Sequence, residues 1–174
     1  TDAYADMTPL LDSPESIAVV QFFKDMLQYV PVGAENVAWD ERATLFATGQ
    51  VAAVNAWTVR TPGFANPEQS VVVDKFDTAM FPHAEGAEPG PPLGGWAMGI
   101  NKFSEQKDLA WSYIKWFTSQ ETLKKFVLAG GPPARLSHLA DPEILAAQHW
   151  IETVAESHPY TYADCRPRIP ESSE

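Results

Sequence analysis

Apolar residues stand at positions 19, 22, 23, 26, 27 and 30, the three-and-four spacing that lines one face of a helix. Just ahead of them, Ser13-Pro14-Glu15 offers a hydroxyl that can cap free amides and a proline tolerated in a first turn. The pattern predicts a helix with Val19, Phe22, Phe23, Met26, Leu27 and Val30 on a buried face, ending at Pro31-Val32-Gly33. A shorter helix is expected over residues 40–48, carrying Leu45 and Phe46, with Gly49 at the position of a left-handed cap.

The pattern then changes period. Residues 51–57, Val-Ala-Ala-Val-Asn-Ala-Trp, form a small-residue apolar run between turn signals, as a buried strand does. Pro62-Gly63 and Asn66-Pro67 break the chain, residues 76–81 offer a second strand, and a Gly- and Pro-rich stretch over 83–92 reads as an exposed loop. Residues 94–100 read as a strand entered through two glycines. Two helices are expected next. Ser104 caps the first, on which Ala110, Tyr113, Ile114 and Phe117 share a face; Ser119 caps the second, which places Lys124 and Lys125 near its negative end before Gly130. Asp141-Pro142-Glu143 starts a last helix reaching about Glu156. Strands mixed with helices give an α/β protein, without internal repeats.

Composition narrows the classes. The 174 residues suffice for one domain with a substantial core, and 45% hydrophobic residues with 11% aromatics indicate a folding chain. Twelve Lys and Arg against 23 Asp and Glu leave a formal charge of −11, which repels phosphate backbones and anionic headgroups, so neither nucleic acid nor a membrane surface is expected as partner. The lone Cys165 allows no internal disulfide. The chain begins at Thr1 without a charged and apolar leader, and the expectation is that a signal peptide was removed or lies outside this sequence. Residues 167–174 stop without a closing helix, as if cut mid-fold.

Catalysis finds little support. His149, Glu152 and Glu156 share a helical face, which a solvated charged surface explains better than metal ligation does. The four histidines are scattered, and no nucleophile elbow, phosphate loop, zinc helix or paired CxxC motif occurs. Cys165 beside Arg166 lacks an assignable base. The reading is a non-enzyme, with no cofactor or metal implied.

Three passages in order carry a resemblance. Phe46-Ala47-Thr48-Gly49-Gln50-Val51-Ala52-Ala53-Val54 resembles the "Phe, two residues, Gly, Lys, Ala-Ala-Met" entry into a strand found in family 1 extracellular solute-binding proteins, the group that includes maltose-binding protein; Val51 and Val54 depart mildly from its Ala and Met. Gly94-Gly95-Trp96 through Ile100, followed by the helix with Ala110, Ile114 and Phe117, is similar to the family's glycine-led strand and helix. Pro133-Ala134-Arg135-Leu136-Ser137 with Asp141-Pro142-Glu143 is similar to its "P-a-R-x-S … D-P" passage.

The resemblance implies the later half of a type II periplasmic-binding-protein-like fold, a mixed sheet flanked by helices. It places residues 1–92 in the second of two lobes, 93–131 in a helical part of the first, and 132–174 in a return to the second. It implies the receptor of an ABC importer, periplasmic or extracellular, with lipid anchorage of a full-length protein as one option. Such a receptor closes its lobes on a carbohydrate or polyol and delivers it to membrane permease subunits. Sugars present hydroxyl edges and apolar faces, so a binder needs flat aromatics and a few polar anchors. Trp57 and Trp96 match places where the family contacts sugar; Gly94 and Gly95 let a ligand approach the backbone, Asn55 offers an amide, and Arg166 a fork for two oxygens. Each has a plain alternative: core packing for the tryptophans, a loop hinge for the glycines, a strand end for Asn55, a surface ion pair for Arg166. Trp111 and Trp116 read as packing residues, and Trp39 and Trp150 have no stronger claim to a ligand. The remaining alternatives are a receptor for an anionic solute or peptide, and a non-catalytic protein-interaction module.

Overall fold

A computed structural model describes Pro9 and residues 11–162. It divides into two compact units, which among the described residues comprise residues up to Val54 and residues 55–162. Arg166 and Cys165 lie outside the described residues.

In the first unit, α1 (Pro14–Met26) begins where the sequence predicts: Ser13 has extended backbone and its Oγ accepts from the Ser16 amide at 3.2 Å. A 3-10 turn, Leu27–Tyr29, closes it. The expected buried face is not buried. Val19, Phe22, Phe23 and Leu27 are all more than half exposed, because periodicity marks a face able to be covered, and nothing among the unit's described residues covers it. α2 (Trp39–Ala47) ends in the expected glycine cap. Gly49 has φ +73°, its amide donates to the Phe46 carbonyl and that of Gln50 to the Leu45 carbonyl, both at 2.9 Å; this paired closure consumes two carbonyls that a helix end leaves open.

The second unit holds α3 (Thr61–Phe64), α4 (Lys107–Phe117), α5 (Gln120–Leu128), α6 (Leu136–Leu139), α7 (Pro142–Ala147) and α8 (Ile151–Ser157). Its core joins Val127 of α5, Ile144 of α7, Trp150 and Ile151, with Ala65, Phe76, Leu128, Leu139 and Leu145 packed around them. Complete burial of Ile144 and of Ile151 contributes roughly 1.5–3 kcal/mol each. Phe76 extends the core into an aromatic cluster with Phe64 at 6.0 Å and Trp150 at 6.5 Å between ring centres.

Three local expectations change. Ser104 does not cap α4: its Oγ accepts from the Gln106 amide in a turn of its own, and the helix starts at Lys107. The last helix is broken after Ala147, where Gln148 leaves helical backbone and buries its amide, donating to the Val127 carbonyl at 2.6 Å. That bond ties α7 to the end of α5 and lets Trp150 enter the core before α8 begins. Trp111 and Trp116 are more than half exposed and outside the buried core, although Trp116 keeps ring contacts with Tyr113 at 5.6 Å and Phe117 at 6.4 Å. Ser119 and Asp141 do cap α5 and α7.

Residues 51–57, 76–81 and 94–100 carry neither helix nor ladder; among the described residues pairing is confined to one parallel bridge, Pro92 to Tyr162. A strand needs a neighbouring backbone as well as an apolar run, and the mixed sheet is therefore not assembled among the described residues.

Candidate functional site

Two segments distant in sequence meet at the predicted site. Trp57 stands in extended backbone at the start of a 3-10 turn, Thr58–Arg60, its carbonyl accepting from the Arg60 amide at 2.9 Å. α3 follows directly, with Pro62 in its first turn and Thr61 and Phe64 buried, so Trp57 is placed at the mouth of an anchored turn. On the other side, the Leu93 amide donates to the Tyr162 carbonyl at 3.0 Å and the Tyr162 amide to the Pro91 carbonyl at 2.9 Å. This clasp fixes the chain immediately before Gly94.

Between these anchors the half-buried Trp57 indole lies on the backbone of Gly94. A Cβ added to Gly94 would stand 2.7 Å from Trp57 Cζ3 and 2.9 Å from Cη2, whereas one added to Gly95 would meet nothing within 4 Å. The two glycines are thus unlike: Trp57 occupies the space beside Gly94, and Gly95 faces open space. Trp96 is fully exposed, at 101% of its reference area, and Asn55 is exposed as well. Arg166 lies outside the described residues. The structure brings Trp57 and Gly94 into contact, and sequence proximity keeps Gly95 and Trp96 beside them.

Tyr162, half exposed, was not singled out in the sequence. Its bridge to Pro92 spans about seventy residues, and no local pattern signals such a partner. A separate open groove of about 450 Å³ runs along α4, lined by Met98, Gly99, Leu109, Ala110, Tyr113 and Ile114 with Ser104 and Gln106 at its edge. It includes none of the predicted site residues.

Among the described residues no cluster of three or more His, Cys, Asp or Glu could hold a metal ion, and no helix is long and apolar enough to cross a membrane. His149 lies 3.7 Å from Asp77, both largely exposed.

The pattern of the bacterial extracellular solute-binding proteins matches residues 2–124. A probable amino-acid ABC transporter periplasmic-binding protein of Sinorhizobium fredii is 35% identical over 144 residues, covering 81% of this chain and 32% of its own length. A probable ABC transporter-binding protein of Deinococcus radiodurans is 21% identical over 90% of this chain and 37% of its own. Among solved structures, an ABC transporter solute-binding protein of Agrobacterium radiobacter K84 in complex with ribitol is 33% identical with a TM-score of 0.83, over 96% of this chain and 43% of that one. Maltose-bound MalE3 of T. maritima is 29% identical with a TM-score of 0.81, over 91% of this chain and 41% of that one. This chain therefore spans about a third of the length of these curated relatives, and its architecture is part of a periplasmic-binding-protein fold.

Proposed function

We propose a role for this chain from the premise that it belongs to the bacterial extracellular solute-binding proteins: it is part of the receptor of an ABC importer that captures a carbohydrate or polyol. The receptor works outside the cytoplasmic membrane and passes its solute, chemically unchanged, to membrane permease subunits. Capture proceeds by closure of two lobes, because a ligand that touches both only when they are closed stabilises the closed state.

The observation that carries the reading is the seating of Trp57 on Gly94. An indole held between two anchored segments offers a flat apolar face of the kind that stacks on sugar C–H groups. Trp96 supplies a second, exposed aromatic beside it, Asn55 an amide, Gly95 room for close approach, and Arg166 a forked donor. The polyhydroxyl ligands of the two structural neighbours, ribitol and maltose, favour the same class.

A second reading, a receptor for an amino acid or another non-sugar solute, is favoured by the Sinorhizobium relative, described as a probable amino-acid receptor. A thermal-shift screen of the protein at its natural full length against sugars, polyols, sugar acids, amino acids and peptides separates the two, since a ligand that binds only the folded state raises the melting temperature by mass action. A reproducible rise with sugars or polyols is expected. A rise confined to amino acids or peptides establishes the second reading, and silence from a well-folded sample removes both.

A further inference from the structure

Gly94 and Gly95 form a pair in sequence, yet their surroundings divide them. Beside Gly94 the benzo edge of Trp57 takes the volume a side chain would need: Cζ3, Cη2 and Cε3 would lie 2.7, 2.9 and 3.3 Å from a Cβ there, while Gly95 has open space. Distances under 3 Å are repulsive, and here the clashing atoms belong to a rigid ring. The ring belongs to a residue whose carbonyl is tied into the turn leading to buried Thr61 and Phe64. The glycine side is equally constrained, because the Tyr162 clasp holds Pro91 to Leu93. Neither segment can yield easily to an added methyl group.

We propose that Gly94 is a positioning residue for Trp57: its missing side chain is the seat that sets the plane of the indole, while Gly95 contributes no contact to that seat. This rests on the reading of Trp57 as a solute-stacking residue and adds to it a distinct role for a residue that need not touch the solute. A ligand approaching this segment finds backbone access at Gly95, whereas the corresponding space at Gly94 is filled by protein.

The test uses the protein at its natural full length, labelled with 5-fluorotryptophan, with the Trp57 fluorine resonance assigned by its disappearance in Trp57→Phe. Gly94→Ala is expected to move that resonance and weaken binding of ribitol or maltose by about tenfold; Gly95→Ala is expected to leave the resonance where it is. In a Trp57→Ala background Gly94→Ala should add no further loss, since the ring it displaces is gone. If Gly94→Ala does not fold, folding should return in Gly94→Ala combined with Trp57→Phe, whose smaller ring vacates the space. An unmoved Trp57 resonance, a Gly94→Ala loss that persists in full without Trp57, or a failure of Trp57→Phe to rescue folding overturns the proposal. A moved resonance with unchanged solute binding, in Trp57→Ala as well, upholds the seat and overturns the stacking role instead.

Discussion

Lys124 Nζ lies 2.8 Å from Asp141 Oδ2 and 3.0 Å from Asp141 Oδ1, joining the middle of α5 to the residue that caps α7. The same ammonium reaches Glu143 at 2.8 Å. Asp141 also accepts from the Glu143 and Ile144 amides, so one carboxylate both starts a helix and docks it on its neighbour. Completely buried Ile144 follows directly.

The hydrogen bond from Lys124 holds the Asp141 carboxyl below the ordinary aspartate value, assisted by the two backbone amides and opposed by partial burial. A carboxyl depressed in the folded state stabilises the fold above its unfolded value and loses that contribution as pH falls through its folded value. The pair should therefore matter at neutral pH and fade below about pH 4. Asp141→Asn keeps a capping side chain and removes the charge. Melting temperatures from pH 7 to pH 2 should show a wild-type advantage that shrinks through this acid window; an advantage constant to pH 2 would exclude the ion pair as its source. Lys124 is raised by its bonds to Asp141 and Glu143, which places its own loss at the alkaline end, above its ordinary value.

His138 is 1% exposed on α6, and neither ring nitrogen has a hydrogen-bond partner among the described residues. Buried polar atoms without partners are costly, whereas an apolar group of similar size loses nothing. His138→Leu is expected to melt at or above the wild-type temperature, and His138→Ala to cost about 2–4 kcal/mol through the cavity it leaves. Equal losses in both variants, measured by urea unfolding, would show that the ring nitrogens are satisfied after all.

Trp96 is fully exposed, so its replacement tests recognition apart from folding. Trp96→Ala should leave stability within about 0.5 kcal/mol of wild type while lowering sugar or polyol affinity about ten- to a hundredfold. Calorimetric titration of the protein at its natural full length decides the matter; unchanged affinity removes Trp96 from the site.

The features determined by the sequence alone are those whose partners lie within a turn. Ser13, Ser119 and Asp141 cap helices because a short polar side chain reaches amides two or three residues on. Gly49 and Gly130 close α2 and α5 because left-handed backbone there costs glycine little. The family was legible in the same way, from motifs that are themselves local. Tertiary structure decided the rest. Periodicity gave α1 an apolar face but not a cover for it, and the strand reading of residues 94–100 had no partner for them to pair with. Trp150 is buried while Trp111 and Trp116 face solvent, a difference that side-chain type cannot carry. The helix break at Gln148 depends on a carbonyl of α5, and the contrast between Gly94 and Gly95 on a ring from another segment. Burial and pairing belong to two stretches of chain at once, and a pattern read along one of them holds only half of each contact.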